Sequence, residues 1–425
     1  MRKKGLRILA ALGLALVMGL ASCGTTEPTK QKEYNEGMVY DSYNVDTYSY
    51  PYWRGNTVYN ETCMFVGKTD ASPLMYRATG ILKVTSYDLQ TVYTEGKDYV
   101  YDAKNNLLRR TEDSAMPYVE QDDWYLTSAR ANELGLGLNF PLKTPKPNGA
   151  TYLRFQEGPT ISNMHVVVTY THDEYAPDEW ELPAVHTDKF TRLTQKLNNK
   201  EHVKLAFLGD SVTFGAIASG MPGASFAPNA EIYAQMITSF IRKHFGYENP
   251  ADVEYYNPSV GGKTSSWGLD IAENDPEMRD LDFCVVAFGL NDSALGTGAV
   301  SFAINIGSIV LSLQKHNPDI EILAVSPMLG NPESTVYGDN DDFERGLYNE
   351  LYVREEGDDD VPDYGKTGLA EVTKMHRQMY RKKGNRYCDI TANNINHPND
   401  FAERIYTMTC LTAMFGHDYF TIDKN

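Results

Sequence analysis

Two residues far apart in the sequence have side chains that together could cleave an ester. Ser211 lies in the segment GDSV at residues 209–212, and His397 lies in the segment HPN at residues 397–399. A serine hydroxyl becomes a nucleophile when a histidine accepts its proton, and the histidine later returns that proton to the leaving alcohol. Each segment alone also occurs as an ordinary turn, a helix cap or a structural histidine. The pair therefore predicts esterase chemistry only where the fold brings the two together.

Two further features could stabilise the negative charge that develops on an attacked carbonyl oxygen. Gly262 belongs to a pair of glycines in residues 257–264, and Asn291 lies in residues 289–292. Backbone N–H groups of a glycine loop and the side-chain amide of an asparagine are both suitable oxyanion donors. The alternatives are a plain flexible loop and a capping asparagine.

Near-continuous apolar strands precede three of these features. Strands are predicted at residues 203–208, 253–256 and 283–288, then at 320–325 and 387–390, with helices at 230–244, 301–315 and 369–382. This alternation indicates a parallel sheet that is covered by helices on both faces. Ligands bind at the carboxyl ends of such strands, so we expect the four features to meet at that edge.

Serine after the first strand, glycine after the second, asparagine after the third and histidine near the C-terminus together resemble the SGNH (GDSL-like) hydrolase family. The resemblance covers residue 203 to the C-terminus. It implies an α/β, flavodoxin-like doubly wound parallel sheet that needs no cofactor and no metal. It also implies Ser211 as nucleophile, His397 as base, and Gly262 and Asn291 as oxyanion donors.

One position departs from the pattern of this family. The family usually has Asp three residues before the histidine, where this sequence has Asn394. An asparagine carries no negative charge, although it can accept a hydrogen bond from the imidazole. We therefore expect a Ser–His dyad in which Asn394 or a main-chain carbonyl orients His397.

The N-terminal half has a different character. Short β-rich runs broken by turn residues extend over residues 40–175, and residues 164–170 are the strongest predicted strand. Strands without long intervening helices indicate an antiparallel β-sandwich. We predict a β-sandwich domain at residues 40–185, an SGNH hydrolase domain at residues 200–425, and a polar linker at residues 184–201.

The first residues are typical of an export signal. A basic start and a short apolar run end in residues 20–23, Leu-Ala-Ser-Cys, which resemble a bacterial lipobox. We predict a lipoprotein signal peptide at residues 1–22, lipidation of Cys23 and a tether at residues 23–39. An ordinary cleaved signal peptide is the alternative. The protein is expected to be exported and attached to the bacterial membrane or cell surface only through this lipid.

The net charge of the chain and its resemblance to known esterases together limit the classes of substrate. A formal net charge of -18 disfavours nucleic acid and acidic polymers as partners. The chain is similar to carbohydrate esterases that join a β-sandwich to an SGNH domain and often lack the usual Asp, which implies deacetylation of a poly- or oligosaccharide. A small ester is the other substrate considered. Trp267 could stack on a sugar ring or equally pack in the core.

Two other functions stay open at this point. A lipase, phospholipase or thioesterase would use the same catalytic residues on longer acyl chains, and a surface lipoprotein could bind glycans without catalysis. The cysteines beyond Cys23 are too scattered for a zinc site, and a Cys388–Cys410 disulfide is left open.

Overall fold

Antiparallel sheets form the first part of the computed structural model, which describes residues 38–173, 179–338, 340–353 and 362–421. The strands of this part are β1 (Thr57–Met64), β2 (Ala71–Pro73), β3 (Ala78–Ser86), β4 (Tyr99–Asp102), β5 (Leu107–Arg110), β6 (Tyr125–Leu126), β7 (Tyr152–Leu153) and β8 (His165–His172). They pair in the orders β1-β8-β3, β2-β5-β4 and β6-β7. The helices among them are α1 (Val45–Ser49), α2 (Gln121–Trp124) and α3 (Ser128–Glu133). The strongest predicted strand becomes β8, which is the central strand of its sheet and is therefore almost wholly buried.

A parallel sheet forms the second part. Its strands are β9 (Val203–Gly209), β10 (Val253–Tyr256), β11 (Phe283–Ala287), β12 (Glu321–Val325) and β13 (Thr367–Ala370). They pair in the order β10-β9-β11-β12-β13, all in parallel. Counted along the chain this is the order 2-1-3-4-5 of flavodoxin-like doubly wound folds. The predicted fold class, with antiparallel sheets preceding an α/β sheet, is confirmed.

Helices connect and cover these parallel strands. They are α4 (Thr191–Asn198), α5 (Ser211–Phe214), α6 (Tyr233–His244), α7 (Ser265–Asn274), α8 (Leu290–Ala294), α9 (Ala299–His316), α10 (Asp341–Tyr352), α11 (Val372–Lys382) and α12 (Asp400–Phe415). Apolar side chains from both faces of the sheet fill two clusters of buried residues. The larger cluster also contains residues of β1 and β8, so the antiparallel and parallel parts share a core.

Two predicted elements are wrong. The fifth strand is Thr367–Ala370, and the predicted strand at residues 387–390 is instead a 3₁₀ helix, Tyr387–Asp389, followed by Ile390. The predicted helix at residues 369–382 included the end of this strand, because periodicity alone does not distinguish a short apolar strand from the start of a helix. The predicted linker at residues 184–201 contains α4, which buries Leu193 and Leu197 completely. These two leucines are four residues apart and therefore lie on one helix face.

Helix α12 joins the two parts of the molecule. Its residues from Asp400 to Met414 are buried, which is unusual for a helix with three charged residues near its start, Asp400, Glu403 and Arg404. The guanidinium of Arg404 donates hydrogen bonds to the carbonyls of Thr47, Tyr48 and Tyr59, in α1 and β1. These bonds satisfy a buried charge that would otherwise be very costly. The prediction that residues 40–185 form a separate domain stays a prediction.

Three other predictions concern a disulfide, the N-terminal segment and attachment to a membrane. Cys63, Cys284, Cys388 and Cys410 are all buried free thiols, so there is no Cys388–Cys410 disulfide. The signal peptide, Cys23 and the tether as far as residue 37 lie outside the described residues. Among the helices described, none has the length and apolar character needed to cross a membrane.

Candidate active site

Ser211 is placed by a tight turn at the end of strand β9, between β10 and β11 in the parallel sheet. It is the first residue of helix α5, and Asp210 caps this helix by accepting a hydrogen bond of 3.0 Å from the Val212 N–H. A side chain at Gly209 would collide with Thr213 and with the Ala287 carbonyl, so the turn requires glycine there. The serine keeps only 4% of its exposure.

His397 reaches the nucleophile from the other end of the sequence. Its Nε2 lies 2.9 Å from Ser211 Oγ, across 186 residues of chain. The loop that carries it is shaped by Asn393, whose side-chain oxygen accepts hydrogen bonds from the backbone N–H groups of Ile395, Asn396 and His397. Thr391 closes the loop by donating its hydroxyl to the His397 carbonyl. The imidazole is thus held by its own backbone at hydrogen-bond distance from the serine, as a general base requires.

The glycine loop and Asn291 lie beside the same serine. A Cβ atom on Gly261 would be 3.7 Å from Ser211 Cβ, so this loop passes close to the nucleophile. Gly262 has a φ of +76°, which residues with side chains rarely adopt. The Asn291 amide donates a hydrogen bond of 2.9 Å to the Lys263 carbonyl, and an amide nitrogen carries two N–H donors. The structure therefore brings the Gly262 and Asn291 segments together next to Ser211.

Two buried carboxyl groups flank this arrangement. Burial raises the pKa of Asp210 from 3.8 to about 7, and nearby Asp292 adds to the rise. Burial also raises the pKa of Asp292, whose carboxylate accepts hydrogen bonds from the Ser265 hydroxyl and N–H. A carboxyl next to Ser211 that titrates near neutral pH opposes a developing oxyanion less than a fully charged one would.

Asn394 does not orient His397 in the structure. Its amide nitrogen donates to the Arg154 carbonyl at 3.0 Å, and its oxygen accepts from the Asn331 amide at 3.0 Å. Its φ of +69° turns it away from the regular path of the loop. A main-chain carbonyl does not orient the imidazole either, because His397 Nδ1 has no hydrogen-bond partner within the described part of the chain. The expected orienting groups are therefore absent from this position.

An acid that the sequence analysis missed faces Nδ1 instead. Glu157 Oε2 lies 3.7 Å from His397 Nδ1. Glu157 belongs to the loop between β7 and β8, in the antiparallel part of the molecule. It is 240 residues from the histidine and lies in no recognisable motif, so no spacing in the sequence could have indicated it.

Trp267 lies on helix α7 and packs on a core residue. Its ring is 6.5 Å from that of Phe288, edge to face, and the Lys263 ammonium is 5.7 Å from its centre. Among the contacts of the described residues, none joins Trp267 to Ser211 or His397. Of the two roles considered for Trp267, core packing agrees with these contacts, and stacking on a sugar ring stays a prediction.

Comparison with known proteins locates a family within this chain. Residues 207–405 match the model of the GDSL-like lipase/acylhydrolase family. No curated protein sequence is significantly similar to the chain.

Solved structures to which the chain is similar include esterases. A two-domain esterase active on acetylated mannans is 16% identical over 54% of this chain and 53% of its own, with a TM-score of 0.39. An acetylxylan esterase from Geobacillus stearothermophilus is 16% identical over 51% of this chain and 95% of its own, with a TM-score of 0.38. The chain thus spans about half the length of the two-domain esterase.

The family match includes Ser211, Gly262, Asn291 and His397, the residues on which the resemblance was predicted. Residues 207–405 of this chain thus form a domain that matches the GDSL-like lipase/acylhydrolase family.

Proposed function

We propose that the protein is a serine esterase that removes acetyl groups from a poly- or oligosaccharide. The observation that carries this proposal is the distance of 2.9 Å between His397 Nε2 and Ser211 Oγ within a GDSL-like domain. A nucleophile and a base in hydrogen-bond contact are the minimal machinery of ester hydrolysis through an acyl-enzyme.

The reaction then proceeds in two halves. Ser211 Oγ attacks the ester carbonyl while His397 Nε2 takes the hydroxyl proton, and the tetrahedral intermediate forms. Its oxyanion accepts hydrogen bonds from the N–H groups of Ser211 and Gly262 and from the Asn291 amide. The protonated imidazole gives its proton to the departing sugar hydroxyl, which leaves acetyl-Ser211. Water, activated by His397, attacks this ester, and acetate leaves as the serine regains its proton.

Enclosure of the catalytic pair supports a small acyl group. Ser211 keeps 4% and His397 7% of its exposure, so little room surrounds the reacting atoms. Val260, beside the glycine loop, is 42% exposed and offers a small apolar contact for a methyl group. The net charge of -18 supports an uncharged substrate such as a neutral glycan ester.

Acetate release from acetylated plant and microbial polysaccharides tests this proposal directly. We expect release from at least one neutral acetylated glycan, and p-nitrophenyl acetate should be cleaved faster than the butyrate and octanoate esters. Preference for the octanoate would favour a lipase or thioesterase instead. Absence of Ser211 labelling by a fluorophosphonate probe would favour a non-catalytic glycan-binding protein.

We also propose that the protein is exported and anchored by a lipid on Cys23, on the basis of the lipobox-like residues 20–23. Cys23→Ala should move the protein from the membrane fraction to the soluble fraction of bacteria that produce it. A variant that stays in the membrane fraction would reject the anchor.

A further inference from the structure

We propose that Glu157 is the acid that orients His397 and stabilises its protonated form. Glu157 lies outside the family match at residues 207–405, in the antiparallel part of the chain. It would replace the Asp that the family carries three residues before the histidine, where this chain has Asn394. This inference rests on the proposed esterase function.

Glu157 and Ser211 face the two nitrogens of the His397 imidazole. Glu157 Oε2 lies 3.7 Å from Nδ1, and Nε2 of the same ring lies 2.9 Å from Ser211 Oγ. Nδ1 has no other hydrogen-bond partner within the described residues, although it is buried. Catalytic hydrogen bonds are often long without substrate and shorten in the reacting complex, so 3.7 Å suits a positioning acid.

The Glu157 carboxylate is tied to the histidine loop. Its Oε1 accepts a hydrogen bond of 3.4 Å from the Asn393 amide. Asn393 is the residue whose oxygen binds the backbone N–H of His397. One side chain therefore positions both the acid and the imidazole that the acid faces.

The backbone before Glu157 is fixed to the same loop. The Arg154 carbonyl accepts a hydrogen bond from the Asn394 amide, and the Arg154 N–H donates to the Trp124 carbonyl. Asn394 thus holds the strand end from which Glu157 extends. An Asp at position 394 would direct its negative charge at the Arg154 carbonyl oxygen, so this position suits an amide better than an acid.

Exposure sets the size of the expected effect. The Glu157 side chain is 53% exposed, so water and salt screen its interaction with the imidazolium. Loss of the buried aspartate of a serine protease triad lowers kcat by about 10⁴. We expect Glu157→Gln to lower kcat by a smaller factor, roughly 10 to 10², with KM changed less than about twofold.

The variants separate an acid from a structural residue. Glu157→Gln keeps the side-chain size and an acceptor for Asn393 but loses the charge, whereas Glu157→Asp keeps the charge at a shorter reach and should retain more activity. Glu112→Gln removes an exposed acid elsewhere in the antiparallel part and is the matched control. Asn394→Asp in the Glu157→Gln background should not restore the rate, because position 394 faces Arg154.

Three readouts on the full chain decide the question: kcat and KM on p-nitrophenyl acetate, the rate of fluorophosphonate labelling of Ser211, and the far-downfield proton resonance of the His397 Nδ1–H. We expect the first two rates to fall together in Glu157→Gln with an unchanged Tm, and the resonance to weaken or disappear. Rates in Glu157→Gln equal to those in Glu112→Gln would overturn the proposal, and so would a rate loss explained by a lower Tm.

Failure of the proposed function remains distinguishable. The labelling rate and the resonance need no ester substrate, so they test Glu157 even on a protein that releases no acetate. A wild-type protein that labels at Ser211 but cleaves no acetylated glycan would refute the proposed substrate and leave the role of Glu157 measurable.

Discussion

Replacing Asp210 by asparagine should stabilise the protein, and by more at higher pH. The carboxyl is fully buried and its pKa is raised from 3.8 to about 7, so the folded state binds its proton more tightly than the unfolded state does. The stability that this proton provides is complete below pH 3.8 and is lost as the pH rises to about 7. Asparagine keeps an oxygen for the Val212 N–H and carries no charge to bury.

The two pKa values fix the size of the change. By linkage, the wild type has lost about 2 kcal/mol at pH 5 and about 4 kcal/mol at pH 8 relative to a permanently neutral group. The free energy of unfolding of Asp210→Asn minus that of the wild type should therefore grow by about 2–3 kcal/mol between these pH values. Buried acids that do not interact with Asp210 titrate alike in both proteins, so their contributions cancel in the difference.

Urea unfolding followed by tryptophan fluorescence at pH 5 and pH 8 measures this difference, with Asp113→Asn, an exposed acid, as the control. We expect the control to show no such pH dependence. A difference for Asp210→Asn that changes by less than about 0.5 kcal/mol between the two pH values would refute the claim that burial raises the pKa of Asp210.

Three further predictions test the site and the core. Ser211→Ala and His397→Ala should each lower kcat by about 10⁴ or more without lowering the Tm, which steady-state kinetics and thermal unfolding will show; activity retained in either would exclude the proposed mechanism. Asn291→Ala should lower kcat by about 10² to 10³ through loss of an oxyanion donor, as measured on p-nitrophenyl acetate. Lys383→Met should destabilise the protein by about 3–5 kcal/mol in urea, because it leaves Glu61, 2.6 Å from Lys383 Nζ and fully buried, without its counter-charge.

The residues at the sheet edge were predictable because their placement follows from topology. In a parallel doubly wound sheet, the carboxyl ends of neighbouring strands must meet, so Ser211 after β9 and Asn291 after β11 lie close whatever the loops contain. The family match at residues 207–405 and the strand order of the parallel sheet confirm the predicted fold. The histidine was recognisable through its position near the C-terminus and its resemblance to the family pattern.

Other features could not be predicted because they depend on contacts between distant segments. Helix α4 appears polar in sequence, yet Glu321 caps it by accepting the N–H groups of Arg192 and Leu193 and so fixes it on the core. The role of Asn394 follows from the Arg154 carbonyl, a partner 240 residues away. Local spacing carries no information on either contact.

The antiparallel part of the chain fixes the segment that carries the catalytic histidine. Asp389, eight residues before His397 and fully buried, accepts hydrogen bonds from the Met64 N–H in β1 and the Ser72 hydroxyl in β2. Thr62 in β1 donates to the Asp389 carbonyl, and Asn399 donates to the same carbonyl from the other side of the loop. Both ends of the histidine loop are therefore tied to the antiparallel sheets, while Glu157 approaches the imidazole from the same part of the molecule. Because the backbone of the loop is already held by these bonds, the acid need not come from the loop itself, and a residue from a distant segment can take its place.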